Sequence, residues 1–306
     1  MTPAQQALFD PALLPPLAPA ALPAGRATVA RQRWWRLQGE ARHRGRKVEP
    51  VLVTPGLLAR IDVPDCPVTR SPMDGRGVHV VALRADAAVA AGHLASLGAR
   101  AAAAAEGVAA GGWQAAWATA ARLAGEPGAA RAQGLCAAEW HRLAVLCSFV
   151  HPLTPAQAGA LPLHVLPPPR LRVLSPVQAL QVALTLALGG AEPARPLNHL
   201  VSLGRGSDLK DALRVFVLTL LARRPVGLES LAVGARRRVL EDLWDDPLLG
   251  RRWQRLASRL DDAQAHRLLS GARSQNLLGG GWRLMDADAA VDGWDLPDQG
   301  PGRRVG

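Results

Sequence analysis

Apolar residues between positions 27 and 41 recur every third or fourth residue: Ala27, Ala30, Trp34, Leu37 and Ala41. That spacing lines them up as one stripe of an α-helix. The same geometry puts Trp35 on the other side, beside Arg31 and Arg42, so the paired tryptophans are expected to face opposite ways. Thr54-Pro55 is a helix start, a capping hydroxyl followed by proline where the missing N–H costs nothing. Residues 70–82 read as a hairpin, with Asp74-Gly75 as the turn and Val78 to Val81 as the returning strand. From Gly92 the run AGHLASLGARAAAAAEG has strongly helical composition.

Beyond Gly111 the pattern is helical almost throughout. Trp113, Trp117 and Ala120 share a face. Cys136, Trp140, Leu143, Cys147 and Val150 alternate steps of four and three, so both cysteines are expected on a buried stripe as small hydrophobes. LPLHVLPPPRLRVL is extended. Ser175-Pro176 caps an almost wholly apolar helix that must be central. Further helices are expected from Ser207 to Pro225, around ARRRVLEDLW, and around GRRWQRLASRL with Trp253, Leu256 and Leu260 inward. The fold class is mainly α: a multi-helix, bundle-like domain with a small ββα element in the N-terminal third. Four regions result: a flexible Ala/Pro-rich tail at 1–25, a basic helix plus the small element at 26–110, a helical domain at 111–278, and a loose Gly/Asp-rich tail at 279–306.

Charge sharpens this picture. The 306 residues carry 36 Lys or Arg against 25 Asp or Glu, a formal +11. Only Lys47 and Lys210 are lysines, as in a G+C-rich coding sequence, but codon bias does not set the sign. A positive balance favours an anionic partner. Eight basic residues and one acid, Glu40, lie between Arg26 and Lys47. Three cysteines without a C-x-x-C pair argue against a disulfide framework or a four-cysteine zinc site. The N-terminal segment lacks the basic start of a signal peptide, and the most apolar run is too short for a bilayer. A cytoplasmic protein without membrane association is the expectation.

The segment from Cys66 to about Ala105 resembles an HNH-type endonuclease module of phage and plasmid proteins. Cys66-Pro67-Val68-Thr69 stands as the knuckle, His79 to Leu83 as the strand, Gly92-His93-Leu94 as the loop end, and ASLGARAAAAA as the helix. The resemblance implies DNA as the partner. It does not carry over the chemistry, which needs a divalent metal and a group to activate water. Val81 stands where the strand aspartate belongs, Ala82 in the adjoining His/Arg position, and Ala102 or Ala103 where the helix carries asparagine. Cys66, Asp74, His79, Asp86 and His93 are the only candidates for an improvised metal site, and nothing in their spacing demands one. No catalytic residue and no cofactor is assigned.

The sequence therefore points to a non-catalytic nucleic-acid-binding protein on a nuclease-like scaffold. Arg31, Arg33, Arg36, Arg42, Arg44, Arg46, Lys47 and Arg84 are the candidate phosphate contacts, and Trp35 a stacking platform. One continuous basic face joining Arg31, Arg42, Arg46 and Arg84 would favour this reading. The alternatives are a helical adaptor that meets a protein partner, or a metal-dependent endonuclease with a non-standard site. His151, His164, His199 and His266 have no candidate nucleophile or acid nearby in sequence. An acidic C-terminal tail, with Asp286, Asp288, Asp292 and Asp295, is expected either to stay loose or to compete for the basic helix.

Overall fold

The computed structural model describes residues 24–75 and 77–274, together with the strand pairs 283–284 and 291–292. The first 23 residues and most of the expected C-terminal tail, including Asp286, Asp288 and Asp295, lie outside the described residues. Twelve α-helices and a small antiparallel sheet dominate what is described. α1 (Ala24–His43) and α2 (Pro55–Arg60) lead into β1 (Val78–Ala82), β2 (Leu94–Gly98) and α3 (Ala99–Gly107). α4 (Gly112–Ala124), α5 (Ala137–Ser148), α6 (Pro155–Ala160) and β3 (Arg172–Val173) precede the central α7 (Pro176–Leu188). α8 (Ala194–Leu203), α9 (Ser207–Ala222), α10 (Val233–Asp242), α11 (Pro247–Ala257) and α12 (Asp262–Ser274) complete the helical part. Within the segment expected to be a loose tail, β4 (Arg283–Leu284) and β5 (Val291–Asp292) pair beside β3 in the order β3-β5-β4.

The small element differs from the expected hairpin. β1 pairs antiparallel with β2, from Val78 opposite Gly98 to Ala82 opposite Leu94. Residues 70–75 form no strand; Asp74 makes a turn by accepting the Gly77 N–H at 2.9 Å. Residues 94–98, expected as helix, are strand, and the helix begins at Ala99. Burial explains the change. Leu94 packs into a core with Leu37, Leu58 and Ile61, whereas Ala95 and Leu97 pack into the opposite core. Ser96 turns to the first side, where its hydroxyl donates to Asp62 at 3.1 Å. Only a strand delivers successive side chains alternately to two cores.

The larger core runs without a break from Cys66, Val68 and Val81 through α3 to α7 and α11. α7 is buried along nearly its whole length, and its side-chain donors are paired internally, whereas the amide oxygens of Gln178 and Gln181 have no partner among the described residues. Gln178 donates to Ser148 Oγ at 2.7 Å and Gln181 to the Leu161 carbonyl at 3.0 Å. Trp244 donates to Thr185 Oγ1 at 3.2 Å. Trp244, Trp253 and Phe216 form one aromatic cluster beneath it. Burying each such ring contributes at least about 1.5–3 kcal/mol before packing terms. Cys147 lies inside this core, but Cys136 is only half-buried because it sits at the N-cap of α5, where its N–H donates to Glu139 at 2.8 Å.

An ionic seam joins the Cys66 segment to the helical part. Glu241 of α10, 3% exposed, takes Arg70 at 3.3 Å, Arg237 at 3.2 Å and the Leu166 N–H at 2.9 Å. Arg70 also meets Asp242 at 2.6 Å, and Arg238 meets Asp65 at 2.6 Å. Arg142 donates to the Val68 carbonyl at 2.7 Å. The arginines here serve architecture rather than a ligand.

Candidate nucleic-acid interface

α1 holds its inward face by apolar packing and two anchors. Ala30, Leu37 and Ala41 are buried. Trp34 donates its indole N–H to the Val53 carbonyl at 2.8 Å. Arg33, a candidate phosphate contact by sequence, is turned inward instead. It is 8% exposed, reaches both oxygens of Asp62 at 2.6 Å and donates to the Gly75 carbonyl at 3.0 Å. The residue falls on the inner half of the helix because it borders the apolar stripe on the Leu37 side.

Trp35 faces outward with 60% of its surface exposed, as the stripe predicts. Its ring meets Trp34 edge-on, centroids 4.9 Å apart and planes at 72°. Because Trp34 is pinned to Val53, the exposed indole has a fixed support. Arg31, Arg36 and Arg42 are exposed on the same outward half, and none of them has a hydrogen-bond or ion-pair partner among the described residues. Lys47 is exposed beyond the helix end.

Three other candidates are committed elsewhere. Arg44 pairs with Glu106 at 3.1 Å. Arg46 donates from Nε to the Ala87 carbonyl at 3.2 Å and also to the Arg84 carbonyl, and burial lowers its pKa. Arg84 is clamped on Asp86 at 2.9 and 3.1 Å, which raises the arginine pKa and lowers that of the carboxylate. The basic face anticipated from Arg31 to Arg84 is thus confined to α1. Arg46 has a different use, tying the loop 84–87 to the end of that helix.

Val81 and Ala102 are buried. Val81, Ala82 and Ala105 line a cavity of about 30 Å³, whose polar rim is Glu40, Arg44, Arg46 and Glu106. The improvised metal candidates do not assemble. The Cys66 sulfur accepts the Gly98 N–H at 3.4 Å, Asp86 is held by Arg84, and His79 is half-buried in β1. Burial and the nearby Arg84 and Arg172 push His93 down to about 4. Asp74 is exposed in its turn. Among the described residues no three His, Cys, Asp or Glu side chains come together to hold a metal ion.

No protein-family model matches the chain, and comparisons with curated proteins and with solved structures gave no match. Among the described residues no helix is long and apolar enough to cross a membrane.

Sequence spacing missed one cluster. His164 is not alone: its Nδ1 lies 3.1 Å from Asp245, 81 residues away. His141 stacks on His164 with centroids 5.4 Å apart, and Trp117 lies against His141 at 4.8 Å. Only the folding of α4, α5, the loop after α6 and the α10–α11 junction brings these residues together.

Proposed function

We propose that the protein binds nucleic acid through the outward face of α1 and does not cut it. One observation carries this reading: an exposed, braced indole at Trp35 among three arginines that have no partner among the described residues. Every base has a π-face, so an indole in that setting stacks on unpaired bases while the guanidinium groups neutralise phosphates. The net charge of +11 adds long-range attraction. The nuclease-like scaffold belongs to the same proposal, with Val81, Ala82 and Ala102 where cleavage would need ligands and a base. DNA is the polymer the resemblance implies, and Trp35 favours single strands over duplex.

Fluorescence anisotropy with single-stranded and duplex DNA across a salt titration tests this reading. Trp35→Ala should cost about 1–3 kcal/mol of single-strand affinity. Each of Arg31→Ala, Arg36→Ala and Arg42→Ala should flatten the salt slope by about one unit.

The adaptor reading has one observation in its favour. Val215 and Leu218 of α9 are 40% and 56% exposed, and Val226 beyond the helix is fully exposed. Variants at α9 that abolish capture of a protein partner, with the α1 face silent, would establish it instead.

A further inference from the structure

A cavity of about 380 Å³ opens beside His141 and His164, with Asp245, Arg251 and Gln254 also on its wall. Several features make it more than a surface dent. The two imidazoles stack with their planes at 26°, so they share one environment. Asp245 engages Nδ1 of His164, which leaves Nε2 as the nitrogen free for a ligand. Arg251 is exposed at the rim and has no hydrogen-bond or ion-pair partner among the described residues. The other nearby carboxylate, Asp246, is already neutralised by Arg223 and by the Leu248 N–H at 2.7 Å.

The charges around the imidazoles are unbalanced. The positive charges of Arg142 and Arg70 act on His164, and that of Arg142 on His141. Asp245 is the one carboxylate facing the pair without an arginine of its own among the described residues. A proton on either ring is therefore matched once at most, and a second proton meets only positive neighbours. Burial lowers both imidazoles, His141 to about 4; His164 and Arg142 add to the effect on His141, whereas on His164 Asp245 opposes burial and Arg142 and Arg70 reinforce it.

We propose that this cavity binds a phosphate group, gripped by Arg251 and by the His141–His164 pair, with proton uptake by the imidazoles on binding. A phosphate supplies the negative charge that the cluster lacks, and its several acceptor oxygens suit a guanidinium and two imidazole N–H donors together. Binding and protonation are then reciprocal. The ligand raises the imidazole pKa values, and lowering the pH tightens the ligand by up to about tenfold per pH unit for one coupled proton. The site does not depend on the α1 face.

The test is an NMR titration of full-length protein carrying isotope-labelled histidine, with inorganic phosphate as the probe, at neutral and at mildly acid pH. The His141 and His164 ring signals should shift saturably, with tighter apparent affinity at the lower pH, and Arg251→Ala should weaken binding at least about tenfold. Arg251 is on the surface, so that variant should keep its fold; His141→Asn should reduce the pH dependence while leaving weak binding. A mononucleotide and a short oligoribonucleotide titrated in parallel identify the source. Tighter binding than inorganic phosphate marks a phosphate ester, and equal or weaker binding marks the free anion. Ring signals that ignore phosphate, or that shift equally in Arg251→Ala, overturn the proposal.

Discussion

Removing the carboxylate of Glu241 should be among the most damaging single changes in the chain. It is 3% exposed and is shared by Arg70, Arg237 and the Leu166 N–H. Burial raises the Glu241 pKa and lowers that of Arg237. Desolvation thus opposes ionisation of both partners, and the pair persists through mutual compensation. Glu241→Ala leaves Arg237 with an unmatched charge and Leu166 with an unmatched donor. A fully buried pair broken in this way costs about 3–5 kcal/mol; because Arg237 keeps 34% of its side chain exposed, the loss here should fall between that and the about 1 kcal/mol of a surface pair. Replacing both partners, as in Glu241→Ala with Arg237→Leu, should recover part of that loss, because the stranded charge is gone. Urea unfolding followed by circular dichroism measures both variants. A single-variant loss below about 1 kcal/mol, typical of a surface pair, would refute the reasoning. So would a double variant that is simply the sum of its parts.

Stability should fall as the pH drops from about 6.5 toward 4. His141 and His93 are both held near 4 in the native state, against 6.5 unfolded, so the unfolded chain binds protons first and native stability is complete only above 6.5. A urea midpoint flat across that window would contradict it. Burial pushes the Cys147 thiol up to about 12, and Cys66 is buried, so a thiol reagent should label Cys136 alone in the native protein and all three cysteines in denaturant. Magnesium, zinc or a chelator should leave the melting temperature unchanged, since Val81, Ala82 and Ala102 offer no ligand; a metal-dependent rise would reopen the endonuclease reading.

Periodicity reveals what burial alone dictates. The stripe of α1 separates Trp34 from Trp35, Thr54 and Ser175 cap the helices they were expected to start, and α7 is central because it is almost wholly apolar, with Gln178, Gln181 and Thr185 as its polar exceptions. β2 was illegible because composition near an alanine run mimics a helix. Its strand character comes from lying between two cores, which is a property of the assembled fold. The candidate site was legible in the same measure. Trp35, Arg31, Arg36 and Arg42 are exposed by helical phase. Arg33, Arg44, Arg46 and Arg84 found partners 2 to 62 residues away in the chain, at Asp62, Glu106, Ala87 and Asp86, and no local spacing announces those. The His164–Asp245 contact was hidden for the same reason.

The most direct test of the central claim is the salt dependence of single-stranded DNA binding by the intact protein and by Trp35→Ala and Arg42→Ala. The account predicts binding that weakens steeply with salt. It also predicts a flatter slope in Arg42→Ala and a uniform loss of affinity in Trp35→Ala. Absence of binding at low salt, or binding that neither substitution alters, would contradict it.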